Sequence, residues 1–212
     1  MMSGMRLKSN FLGRCIPEHP KVSHRELKDF LMYTPREDSF LLQKAVKKYA
    51  KNKRVLDMGA GSGIQAQTAL NAGAKNVLAV DIDQEVIKYL TKNHIQAIQS
   101  DLFSNIKKNE KFDLIVFNPP YLPEDLREDK ESARITSGGK QGDEIIIRFL
   151  KQSLAHLAPE GSIFIVLSSI TPKKKITHLI EKLKLSRKII DKDNIFMETL
   201  EVWKISRKSK SS

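Results

Sequence analysis

An open α/β sheet, mostly parallel and covered by helices on both faces, is the fold class this sequence predicts, and three observations predict it. Short apolar runs at about residues 53–58, 77–81, 96–100, 112–117 and 162–168 alternate with helical patterns at about 63–72, 84–93, 143–157 and 172–183, which is the sequence form of parallel strands joined by helical crossovers. The first run passes into a loop with glycine at every second position. The last segment, about 186–205, changes to alternation, with Met197, Thr199, Glu201, Trp203 and Ile205 opposite Leu200 and Val202, as two antiparallel edge strands require.

Taken in order, residues 1–33 carry mixed charge, two prolines and little periodicity, and are predicted to form an extended arm. At Thr34-Pro35-Arg36-Glu37 the spacing is that of a capping box with proline at the first helical position. Leu41, Leu42, Ala45, Val46 and Tyr49 then repeat on one face, predicting a helix over about 35–50. The first strand leads into Asp57-Met58-Gly59-Ala60-Gly61-Ser62-Gly63. This departs from the dinucleotide spacing G-x-G-x-x-G and lacks a G-K-[ST] ending, so a ligand without a phosphate at this loop is favoured. The second strand ends in Asp81, whose carboxylate has the chemistry to accept from both hydroxyls of a ribose. Asp101 follows the third; its carboxylate can accept from an adenine amino group, with Leu102 offering a backbone N–H. Asp143 and Thr171-Pro172 mark the starts of the last two helices.

The fourth run, Phe112 to Phe117, ends in Asn118-Pro119-Pro120-Tyr121. This tetrapeptide suits a planar NH2 group. An amide or base amine is a poor nucleophile because its lone pair is delocalised, and a site that accepts hydrogen bonds from both N–H groups returns electron density to it. The Asn118 side-chain oxygen and the Pro119 carbonyl can be those acceptors. Pro119 and Pro120 stiffen the turn, and Tyr121 adds a flat face. The same four letters also suit a proline-rich turn after a buried strand; the glycine loop decides between the two. Right-handed crossovers on either side of the first strand make the gap between strands 1 and 4 a topological switch point, so both motifs meet at one crevice.

Composition bounds the rest. The chain has 212 residues and 40% hydrophobic content, enough for one domain with a full core. A single cysteine, Cys15, forbids an internal disulfide and makes a reducing cytoplasm the expected location. No apolar stretch suits a signal peptide or a membrane span. The net charge of +12 suggests RNA as a partner, or a lysine-rich composition spread along the whole chain. No metal site is expected, since Cys15, His19 and His24 lack the second half of a zinc set. Residues 122–142 form a long irregular stretch, acidic at Glu124, Asp125, Glu128, Asp129 and Glu131. It is either a solvated loop or a recogniser of a basic substrate segment.

Together these motifs resemble the class I S-adenosylmethionine-dependent methyltransferases, and more closely the HemK/PrmC family. Two further stretches carry the closer likeness: Tyr33-Thr34-Pro35-Arg36-Glu37-Asp38-Ser39 and Ser137-Gly138-Gly139-Lys140-Gln141-Gly142. The resemblance implies a Rossmann-like seven-stranded sheet of order 3-2-1-4-5-7-6 over residues 34–206, followed by a basic tail at 207–212. It implies that Ser39, Asp57, Gly59, Gly61, Gly63, Asp81, Asp101, Leu102 and Asn118 bind S-adenosylmethionine, and that Asn118, Pro119, Pro120 and Tyr121 carry catalysis. The implied acceptor is a glutamine amide in a peptide-chain release factor. Family members of this short type often pair with a small zinc-binding activator at the edge near strand 3, where Ile95, Ala97 and Ile98 are apolar. Methylation of adenine or guanine amino groups in RNA or DNA is the alternative, and a noncatalytic binding module is a third reading.

Overall fold

A computed structural model of the chain describes residues 35–121, 138–196 and 198–208. The expected arm at 1–33, the Thr34 cap, the acidic stretch at 122–137, Met197 and the end of the basic tail lie outside these residues. The elements, in chain order, are α1 (Glu37–Tyr49), β1 (Arg54–Met58), α2 (Ile64–Asn71), β2 (Asn76–Asp81), α3 (Gln84–Lys92), β3 (Ala97–Gln99), β4 (Phe112–Phe117), α4 (Glu144–Ser153), β5 (Leu157–Ser168), α5 (Lys173–Lys182), β6 (Leu185–Ile195) and β7 (Glu198–Arg207).

Seven strands form one sheet of order β3-β2-β1-β4-β5-β7-β6. The first five are parallel, and β7 lies antiparallel between β5 and β6. Side chains alternate across a strand, and here both faces are apolar, as a sheet covered on both sides demands. Leu56, Ile115, Ile163 and Trp203 share a cluster with Ile146, Phe149 and Leu150 of α4 and Ile176 and Ile180 of α5. Alternate residues such as Val55, Leu114 and Val116 are equally buried. On their side Phe164 meets Tyr49 of α1 edge-on, with ring centroids 5.3 Å apart.

The helices start within about two residues of the expected positions, but the residues expected at their starts do not make the capping bonds. The first helix begins at Glu37 with Arg36 as its extended N-cap, and no side chain caps it; the first turn is instead served by Asp38, whose Oδ1 accepts from the Ser39 backbone N–H at 2.5 Å. Asp143 occupies the N-cap of α4 without making a capping bond. Glu144 does that work, accepting from the Gln141 N–H at 3.1 Å. Thr171 does not cap α5: its hydroxyl accepts from the Ser168 N–H at 3.2 Å and closes the turn after β5. The strand β5 starts at Leu157 rather than near 162, because a bulge between its pairings to Phe112 and Leu114 absorbs Pro159, Glu160 and Gly161. As a result α4 ends at Ser153, short of the expected 157. Among the described residues no helix is long and apolar enough to cross a membrane.

Candidate active site

The carboxyl ends of β1, β2 and β4 bring the sequence-predicted residues together. Gly59, Gly61 and Gly63 all have positive φ, at 62°, 48° and 75°, a region costly for any residue with a Cβ. Gly63 is also confined, since a Cβ there would lie 2.5 Å from Leu90 Cδ2 and 3.1 Å from Ile95 Cδ1. Gly63→Ala should therefore cost about 1–3 kcal/mol of stability. An unchanged urea midpoint would contradict that packing argument.

Asp57 sits beneath the loop, 2% exposed, and its Oδ2 accepts from the Ala66 N–H in the first turn of α2 at 2.9 Å. It braces loop against helix. Burial pushes its carboxyl up to about 8, with the Ala66 bond opposing the shift and the charge of Asp81 adding to it. Its ordinary value is 3.8, so between 3.8 and about 8 the folded protein holds a proton that the unfolded chain has lost. The stability this contributes is complete below the lower value and disappears as pH rises through the upper one. Asp57→Asn should flatten that part of the pH–stability curve, and equal slopes for the two proteins would rule the assignment out.

Asp81 lies at the end of β2, where Oδ2 accepts from the Gly61 N–H and Oδ1 from the Asp83 N–H, each at 3.0 Å. Burial raises its carboxyl, and those backbone bonds hold the rise back. The carboxylate is thereby aimed across the glycine loop, and each oxygen retains a lone pair for a ligand. Asp101 is less enclosed: its Oδ2 takes an Arg148 guanidinium N–H at 2.7 Å, with both side chains about half exposed. Leu102 follows in a left-handed turn, φ 50°, with its side chain buried.

Asn118 is the centre of the arrangement. Its Nδ2 donates to the Ser39 hydroxyl at 3.3 Å, while its Oδ1 is buried and has no hydrogen-bond partner among the described residues. Ser39 is itself held from two sides, by Asp38 Oδ1 and by Gln65 Nε2, which donates to the Ser39 carbonyl at 2.8 Å. One end of the asparagine amide is thus tethered and the other is buried without a donor among the described residues. A buried acceptor left unpaired is costly, and an N–H brought to the end of β4 would satisfy it. Pro119 is buried and Pro120 half-buried. Tyr121 packs on the core, and burial raises its phenol, with the negative charges of Asp38 and Glu198 adding to the rise.

Three residues here, Gln65, Arg148 and Glu198, were not singled out from the sequence, and Asp143 there marks only a helix start. Gln65 is buried and ties α2 to α1. Arg148 pairs with Asp101, Glu198 accepts from the Ser168 hydroxyl, and Asp143 is a fully buried acid. A glutamine on a helix and an acid at a helix start have ordinary explanations in sequence, so nothing marked them as part of a site.

The sheet order, the glycine loop at the end of β1 and the acceptor turn at the end of β4 define a class I methyltransferase fold. The chain belongs to the methyltransferase small domain family, whose model matches residues 37–197. A Methanocaldococcus jannaschii protein assigned as a protein N5-glutamine methyltransferase is 35% identical over 185 residues, covering 82% of this chain and 92% of that one. The release factor glutamine methyltransferase of Koribacter versatilis is 34% identical over 164 residues, and the chain spans only 58% of its length. Human methyltransferase HEMK2 is 28% identical over 208 residues, covering 96% of its length. Among solved structures, the E. cuniculi Mtq2-Trm112 complex, described as responsible for methylating the eRF1 translation termination factor, matches with TM-score 0.68 at 24% identity. The match covers 83% of this chain and 98% of that one.

Proposed function

We propose that this chain transfers a methyl group from S-adenosylmethionine to the side-chain amide nitrogen of a glutamine in a peptide-chain release factor. The observation that carries the reading is the buried, unpartnered Asn118 Oδ1. It is an acceptor without a donor, and an amide NH2 supplies one. The names of the archaeal and bacterial relatives favour glutamine as the source of that NH2.

The residues present fit the cofactor. Gly59, Gly61 and Gly63 would let the backbone approach it closely, Asp81 would take the ribose hydroxyls, and Asp101 with the Leu102 N–H would take the adenine. Ser39 and Asp57 hold the loop and the asparagine in register. When bound, the sulfonium supplies an electrophilic methyl group. The chain's task is then to present the nucleophile: Asn118 Oδ1 and the Pro119 carbonyl accept one N–H each, Pro120 keeps the turn stiff, and Tyr121 walls the amide plane. Positioning in line contributes most of the acceleration, and the surplus proton departs to water, so no strong base is required.

A small zinc-binding activator is the proposed partner at the β3 edge, where Ala97 and Ile98 are half-buried and Ile95 lies beneath. The structural neighbour, itself a complex with Trm112, supports this. A cytoplasmic location follows from the same substrate. The test is radiolabelled methyl transfer to purified release factor, tRNA, rRNA and DNA, each with and without the activator. Label is expected in the release factor. Efficient labelling of nucleic acid with an unlabelled release factor would instead establish the base-amine reading that the net charge of +12 encourages.

A further inference from the structure

We propose that Asp143 and Lys175 form a positioning pair for the acceptor turn, locking the loop at 138–142 against the carbonyl of Pro120. The inference rests on the reading of Asn118-Pro119-Pro120 as the acceptor site, and it begins from an anomaly. Asp143 is fully buried, yet among the described residues neither carboxylate oxygen has a hydrogen-bond partner. Such a group is expensive to keep in a folded protein.

Two features offset that cost. Asp143 precedes the first turn of α4, where the helix dipole favours negative charge. Lys175, from the first turn of α5, brings its Nζ to 3.8 Å from Oδ2. The same Nζ donates to Gln141 Oε1 at 2.5 Å. One lysine on α5 therefore holds two points of the loop that precedes α4.

The loop is rigid on its other side as well. Gly139 and Gly142 take φ values of 108° and 85°. The Gly142 N–H donates to the Gly139 carbonyl at 3.1 Å, and the Ile145 N–H to the Gly138 carbonyl at 3.2 Å. Gly138 is the point of contact with the acceptor turn: a Cβ there would lie 2.8 Å from the Pro120 oxygen and 2.5 Å from the Gly142 oxygen. A continuous path of contacts thus runs from Lys175 through Asp143 and Gln141 to Gly138 and Pro120. An apolar residue at 143 would fill the same space without the electrostatic cost. What the charge adds is one specific docking of α5 on the loop, and through it one setting of the turn that offers Asn118 Oδ1.

The experiment compares Asp143→Asn, Lys175→Met, Lys175→Arg and the Asp143→Asn/Lys175→Met double variant in the full chain, with the activator present. Asp143→Asn and Lys175→Met should each lower kcat about tenfold, because small misplacements of a reacting group are costly. Cofactor Kd should stay within about twofold, and the double variant should be no slower than either single one. Lys175→Arg should retain most of the activity. Amide hydrogen exchange across residues 138–145 should quicken in the two single variants and not in Lys175→Arg. Unchanged kcat and unchanged exchange would overturn the proposal. So would a loss of kcat that merely tracks a loss of cofactor binding or of folded protein. Absence of transfer to release factor by the wild-type protein would count against the function proposed above, and the exchange measurements would then decide the tether alone.

Discussion

Asn118→Ala is expected to lower turnover by about 10²–10³, the scale of losing one preorganised hydrogen-bonding group at a reacting centre. Cofactor affinity should change little. The division follows from the geometry: Nδ2 is committed to Ser39, and Oδ1 is buried and unpaired among the described residues. Alanine removes the acceptor that would draw one N–H of the substrate amide into line, and it also releases the Ser39 hydroxyl. Steady-state kinetics beside calorimetric cofactor binding checks the claim. A loss of affinity large enough to explain the whole loss of activity would place Asn118 on the cofactor rather than on the acceptor.

Asp81→Ala should have the opposite signature. Its carboxylate is held by the Gly61 and Asp83 N–H groups and retains acceptor capacity toward the crevice. Each charge-assisted bond to a ribose hydroxyl contributes about 1.5–3 kcal/mol, so cofactor affinity should fall by at least tenfold. The same substitution frees the Gly61 N–H and loosens the loop. For that reason the fair comparison is Asp81→Asn, which keeps an acceptor oxygen and should bind with intermediate affinity. Equal affinity of wild type and Asp81→Ala, both shown to be folded, would remove the ribose assignment.

The sheet was legible because its signals are long and local. Runs such as Val77-Leu78-Ala79-Val80 are buried on both faces and read as nothing but strand, and the glycines at 59, 61 and 63 announce a turn that needs positive φ. The resemblance supplied the order of the last two strands, and the observed β5-β7-β6 pairing agrees with it. Helix ends were less legible, since which neighbouring side chain takes the free N–H groups of a first turn is decided by local geometry that spacing does not give. Glu144, not Asp143, accepts at the start of α4, and Asp38 accepts from Ser39 in the first turn of α1. The start of β5 was hidden because Pro159 and Gly161 interrupt the apolar pattern, and in the fold they lie in a bulge.

For the candidate site, the positions of Asp57, Asp81 and Asn118 around one loop followed from motif and topology together, and that of Ser39 from the resemblance. Their mutual support did not. That Gln65 fixes Ser39, that Arg148 occupies one oxygen of Asp101, and that Asp143 lies buried beside Lys175 are long-range contacts between side chains of ordinary type. No spacing in the chain encodes them.

The account stands on the methyl group reaching a glutamine side-chain nitrogen held at Asn118. The most direct measurement is peptide fragmentation of a release factor after incubation with the wild-type protein and cofactor carrying a deuterated methyl group. The account predicts the label on one glutamine amide, absent when that glutamine is changed to glutamate and much reduced with Asn118→Ala. Label on another residue type, or transfer that persists undiminished in Asn118→Ala, would contradict it.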